Sequence, residues 1–196
     1  NPVVPARSVK EFIALAKARQ AAKAPLTYAS SGNGGTLHLG AEMLKLAANL
    51  DMLHVPYKGA SLAMQDVIGG HVDSMFISVP PAIAQVKAGK LRALGTASLK
   101  RARGLPDVPT LVELGYPDFE VDAKYGIVAP AGTPRDTLNK ISSGVMKAAQ
   151  SADLRERYAA IGLEPLASTP EQYAEQVRNA ITRWRKVVAA AKLPPQ

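Results

Sequence analysis

Tyr28-Ala29-Ser30-Ser31-Gly32-Asn33-Gly34-Gly35-Thr36 is the stretch whose reading decides the rest. Before it, Leu26-Thr27-Tyr28-Ala29 follows Pro25 as a short apolar run, the pattern of a buried strand. After it, from Thr36 to about Ala48, Leu37, Ala41, Leu44 and Ala48 recur at helical spacing. A strand feeding a helix through such a turn leaves the first helical N–H groups unpaired, at the positive end of the helix dipole. That is a ready site for an anion. Gly32, Gly34 and Gly35 let a ligand approach the backbone without obstruction by a Cβ, and the Ser and Asn side chains add donors. Each charge-assisted bond to a carboxylate there contributes about 1.5–3 kcal/mol before desolvation is subtracted. Turn and capping preferences select the same residue types, so the spacing leaves both readings open.

Outward from this turn the chain alternates short apolar runs with helices. Ser8-Val9-Lys10-Glu11 is a capping box that opens a helix with Phe12, Ile13, Leu15 and Ala16 on one side. Leu53-His54-Val55 reads as a strand, Ser61 to Ile68 as a helix closed by Gly69-Gly70, and Val72 to Ser78 as a strand. Pro80-Pro81 breaks that strand, the second Pro can begin a helix to Ala88, and Leu91 to Thr96 reads as the next strand. The alternation predicts βαβ units and a mostly parallel sheet. From Gly126 the texture changes. Ile127-Val128-Ala129 reads as a strand and Pro130-Ala131-Gly132-Thr133-Pro134 as a turn. Helical patterns follow from about Arg135 to Gln150, from Asp153 to Ile161 and, after the capping signal Ser168-Thr169-Pro170-Glu171, to about Ala191. Leu163 to Leu166 reads as one short strand. On the last helix Tyr173, Val177, Ala180, Ile181, Trp184, Val187 and Val188 form an apolar stripe that needs a sheet or helices to cover it. A strand-poor tail of this kind looks like half a domain.

The 196 residues, 47% hydrophobic and 20% charged, exclude a disordered chain, and no apolar run reaches the 18 or so residues of a membrane span. The absence of Cys excludes disulfides, Cys-ligated metals and cysteine nucleophiles. The opening Asn1-Pro2-Val3-Val4-Pro5 has no initiator Met and no leader, as in a processed product or a piece of something longer. The formal charge of +8 is spread evenly, +4 on each side of Tyr125, with no basic arm of the kind that grips nucleic acid.

Neither a dinucleotide fingerprint, nor a phosphate loop, nor a nucleophile elbow fits the turn: Leu37 stands where the sixth-position Gly should, no Lys precedes Thr36, and Tyr28 stands two residues before Ser30. Non-covalent capture of a small anion is favoured over nucleotide chemistry. His38 and Glu42, four apart on one helix face, lack a second His one turn away, and the spacing predicts a helix-surface contact rather than a metal site. Arg178, Arg183, Arg185 and Lys186 read as a solvated face opposite the apolar stripe.

Further stretches follow in order: His38-Leu39, Glu42, His54-Val55-Pro56-Tyr57-Lys58-Gly59, Asp66 with Gly69-Gly70, and Val72-Asp73. Later come Leu105-Pro106-Asp107-Val108-Pro109-Thr110, Glu113-Leu114-Gly115-Tyr116-Pro117 and Ala129-Pro130-Ala131-Gly132-Thr133-Pro134. With Tyr28 to Gly35 they resemble the tripartite tricarboxylate receptors, the TctC or Bug extracytoplasmic solute-binding proteins, from Asn1 to the last helix. Leu62 and Lys124-Tyr125-Gly126 depart from the family's usual Pro and aromatic.

The resemblance implies an α/β fold of the periplasmic binding protein type II kind. Residues 1–123 would be a complete second lobe of βαβ units carrying the ligand loop. Residues 124–196 would be a crossover strand and the C-terminal helices of a first lobe whose N-terminal part, present in family members, is missing. It further implies a periplasmic receptor without catalysis or cofactor, which captures a small carboxylate and delivers it to the membrane subunits of a tripartite tricarboxylate-type transporter. Ser30, Ser31, Gly32, Asn33, Gly34, Gly35 and Thr36 would hold one carboxylate. Tyr57 and Ser78 stand near predicted strand ends that face a cleft and complete the candidate set. The runner-up is a small serine hydrolase of carboxylate esters or amides, using Ser30 or Ser31 with His38.

Overall fold

The computed structural model describes residues 1–121, 124–160 and 163–193. The chain falls into two compact units, 1–123 together with 187–196, and 124–186. The lobe boundary expected near Asp122–Ala123 and the helix end expected at Ile161 lie outside the described residues.

In the first unit, helix α1 (Val9–Ala21) starts where the sequence places it. Ser8 Oγ accepts from the Glu11 N–H at 3.1 Å, while the Glu11 carboxylate reaches back to the Arg7 N–H at 2.7 Å. Strand β1 (Thr27–Ser30), helix α2 (Thr36–Ala48), strand β2 (Leu53–Pro56), helix α3 (Ala60–Gly69), strand β3 (Ser74–Met75) and helix α4 (Val79–Lys87) follow. Asn49 and Gly70 end α2 and α3 in the left-handed conformation, which lets the chain turn back toward the sheet.

The sheet is parallel with order β2-β1-β3, and Ser30 lies opposite Pro56 and Ala29 opposite Met75. Both faces are covered, as a parallel sheet requires. Successive residues of β1 point to opposite faces. Tyr28 packs with Phe12, Ala16, Leu26, Ala41 and Met52, whereas Ala29 packs with Ala63, Val67, Val72 and Leu91. A third cluster, Val9, Leu44, Leu111 and Phe119, seats the irregular segment after α4.

Several expected strands do not form. Val72 to Ser78 contributes only Ser74–Met75, and Leu91 to Thr96 is reduced to one bridge between Thr96 and Thr110. Thr110 and Glu113 then exchange backbone-to-side-chain bonds, each at 3.0 Å, and close this segment as a turn. The second unit, among the described residues, is helical: α5 (Arg135–Gln150), α6 (Ala152–Ala160) and most of α7 (Pro170–Ala190). Ile127-Val128-Ala129 is unpaired, with Ile127 68% and Val128 80% exposed, and Leu163 to Leu166 forms no strand either. An apolar tripeptide is a strand only when a neighbour accepts its hydrogen bonds, and the described residues of this unit offer none. Thr169 and Gln172 cap α7 reciprocally, yet Val177 and Ile181 on its apolar stripe stay exposed. No described helix is long and apolar enough to cross a membrane.

Candidate ligand-binding site

The chain runs from β1 to β2 on one side and then crosses to β3 on the other, so strand order reverses at β1. In open parallel sheets the crevice for a ligand lies beyond the carboxyl ends of the strands at that reversal. Two connections meet there: the Ser30–Thr36 turn after β1, and Phe76-Ile77-Ser78 after β3.

The turn is open to solvent. Asn33 and Gly34 are exposed, while Ser31, Gly32, Gly35 and Thr36 are half-buried. Two of its glycines are needed for conformation: Gly32 has φ +135° and Gly34 φ +71°. Gly35, the α2 N-cap, has φ −68°, which any residue adopts. No side chain caps α2, so its first-turn amides lack a side-chain cap. Ser78 caps α4 equally without a side-chain bond, and the first turn of α4 holds Pro80 and Pro81, which have no N–H to offer. Tyr57 continues the ladder, its N–H donating to Ser30 O at 3.0 Å. Its hydroxyl donates to Asp66 Oδ2 at 2.5 Å on α3. That bond raises the Tyr57 pKa and lowers that of Asp66.

Ser30 points inward and is wholly buried. Its hydroxyl accepts from the Gly32 N–H at 3.2 Å, lies 3.0 Å from Gly32 O and 2.6 Å from His54 Nε2. It shapes the turn from beneath. The hydrolase pairing with His38 does not form. His38 Nδ1 accepts the Gly34 N–H at 3.0 Å and is not available to a serine. His38 is also not a surface residue: only 4% of it is exposed, because the helix face it shares with Glu42 packs against β1 and β2.

Beneath the turn these side chains form one polar cluster. His38 and His54 stack with ring centroids 3.9 Å apart and planes 11° apart, and Tyr28 stacks on His54 at 4.8 Å. The Tyr28 hydroxyl donates to Glu42 Oε1, which also takes Lys45 Nζ at 2.8 Å. Burial, reinforced by the bond to Glu42, holds the Tyr28 pKa far above its usual value. Burial lowers both histidines, His54 to about 4, with the neighbouring His38 adding to the effect. Among the described residues no group of three His, Asp or Glu is arranged to hold a metal ion. Sequence spacing missed His54 because its partners, Ser30 and His38, are on other elements; the strand position of His54 was the one available signal.

Both folded-state pKa values lie below the usual 6.5. Between about pH 4 and 6.5 the unfolded chain therefore binds more protons, and stability rises with pH. The contribution is complete above 6.5 and is lost as pH falls toward 4. Urea midpoints measured at intervals from pH 7.5 to 4.5 are expected to fall across this window, and replacing His54 by Gln is expected to flatten the fall.

The family model described as Tripartite tricarboxylate transporter family receptor matches residues 1–193. A Pseudomonas sp. (strain P51) protein, described as a UPF0065 protein in the tcbD-tcbE intergenic region, is 37% identical over 193 residues, 97% of this chain and 57% of its own. An R. palustris protein solved with adipate superposes with TM-score 0.87 at 29% identity, over 98% of this chain and 64% of that one. The periplasmic binding protein BugD superposes at 0.85 with 31% identity, over 100% and 65%. MatC from Rhodopseudomonas palustris, with bound malate, superposes at 0.80 with 31% identity, over 94% and 63%. The chain thus spans 57% to 65% of the length of these four proteins. A doubly covered parallel sheet, an open glycine turn at its switch point and a match over residues 1–193 place this chain in the tripartite tricarboxylate transporter receptor family, the TctC or Bug proteins.

Proposed function

We propose that this chain is the ligand-loop lobe, residues 1–123, and the C-terminal part of the other lobe, residues 124–196, of a periplasmic receptor for a small carboxylate. The observation that carries this reading is the uncapped N-terminus of α2, opening at the sheet's switch point through the exposed turn at Asn33 and Gly34. One carboxylate of the ligand sits against the turn from Ser31 to Thr36, with Ser78 and the backbone at Tyr57 bordering the crevice. Ser30 acts from below. Closure of two lobes over the ligand stabilises the closed state by as much as the ligand prefers it, and the closed receptor is what the membrane subunits of a tripartite tricarboxylate-type transporter recognise. The adipate and malate of the two solved relatives support a dicarboxylate. Neither catalysis nor a cofactor is required.

The test is calorimetry with adipate and malate. The full-length receptor is expected to bind at least one of them, whereas the 196-residue chain alone binds at least tenfold more weakly because half of the crevice is absent. Failure of the full-length receptor to bind any dicarboxylate or tricarboxylate would remove the reading. Equal affinity in both forms would overturn the division into lobes.

A further inference from the structure

We propose that His38 and His54 are positioning residues, a stacked pair of imidazoles beneath the turn that sets how its amides face a bound carboxylate. The inference rests on the receptor reading for its ligand and on the cluster itself for its geometry.

Gly34 N–H is a donor, so His38 Nδ1, 3.0 Å away, must present a lone pair, and His38 carries its proton on Nε2. This bond turns the Gly34 amide inward and holds the left-handed conformation at Gly34. At Ser30 one assignment satisfies every group. The hydroxyl gives its proton to Gly32 O and accepts from both Gly32 N–H and His54 Nε2–H. Each histidine therefore fixes one half of the turn, His54 through Ser30 and Gly32, His38 through Gly34.

The stack constrains the charge of the pair. The groups around it are Tyr28 and Ser30 of β1, Glu42 and Lys45 of α2, and the opposite imidazole. Glu42 is already engaged by Tyr28 and Lys45, and its Oε1 lies 3.9 Å from His38 Nε2, too far to accept from it. Two imidazolium rings 3.9 Å apart repel, and burial penalises either charge, so the neutral pair is the state that holds the turn. A proton on His38 Nδ1 would set one N–H against another and release Gly34. Acidification thus loosens the turn from beneath rather than through the ligand.

The experiment uses the full-length receptor. In the ligand-free protein, imidazole ¹⁵N spectra at pH 7.5 are expected to show His38 Nδ1 unprotonated. On acidification the Gly34 amide resonance should move with the midpoint of His38. A protonated Nδ1, or a Gly34 amide indifferent to His38, overturns the inference whether or not a ligand is known. In calorimetry with adipate and malate at pH 7.5, His38→Asn, which keeps an acceptor near the Nδ1 position, should stay within threefold of wild type. His38→Phe, which keeps bulk but not the acceptor, should lose tenfold or more. Because the ligand's own carboxyls also titrate, the acid effect is read as a difference: on acidification from pH 7.5 wild type should lose more affinity than His38→Asn. Binding by His38→Phe equal to wild type would overturn the positioning role. A wild type that binds neither acid counts against the receptor reading, and the spectra then decide the inference alone.

Discussion

Replacing Gly34 by Val in the full-length receptor is expected to weaken carboxylate binding by more than tenfold, or about 1.4 kcal/mol, with the fold retained. Gly34 has φ +71°, where an L-residue costs roughly 1–2 kcal/mol and a β-branched one is an outlier. The turn must therefore rearrange, and its amide leaves His38 Nδ1. The exposed position of Gly34 confines the damage to the turn, so circular dichroism should be unchanged while calorimetry with adipate reads the loss. Gly35→Ala is the contrast. Its φ is −68°, and an added Cβ would meet Gly32 O and Ser31 Oγ at an ordinary 3.8 Å. Within a few-fold of wild-type affinity is expected there. Unchanged binding in Gly34→Val would take the turn out of the site.

The second large effect is on stability. Glu42→Leu is expected to destabilise the receptor by about 3 kcal/mol, because it strips the buried Tyr28 hydroxyl of its acceptor and Lys45 of its counter-charge. Tyr28 is 1% exposed, so its hydroxyl cannot turn to water. Lys45 keeps 20% of its side chain exposed and recovers part of its hydration, which holds the cost below that of a fully buried pair. Adding Tyr28→Phe should recover about 1–2 kcal/mol, since removing both partners leaves no orphaned donor. Urea denaturation of the two single variants and the double variant checks the cycle. A loss below about 0.5 kcal/mol in Glu42→Leu would show that Glu42 holds nothing together.

These two residues illustrate what was legible beforehand. The Gly-rich turn could be read directly, because a strand, three glycines and an apolar-periodic helix are adjacent in the chain. Glu42 could not, since its importance comes from Tyr28, which is 14 residues away on the central strand. His38 departs from the surface position its spacing predicts for the same reason: its spacing from Glu42 is that of a helix surface, and only packing against β1 and β2 buries that surface.

The helices, and several of their ends, are encoded locally, although α4 starts at Val79, two residues before the expected Pro81. Thr36–Ala48, the Ser8–Glu11 cap and the Gly70 terminus rest on bonds between residues three to five apart, so the information is local. Tertiary structure alone decided the strands, the order β2-β1-β3, and hence that the turn lies at a switch point. Leu91–Thr96 and Ile127–Ala129 are as apolar as β1, but a strand exists only where a distant partner supplies its hydrogen bonds. The stacked pair His38 and His54 belongs to the same class: sixteen positions apart in the chain, on α2 and β2, the two rings come to 3.9 Å only because α2 packs against the sheet.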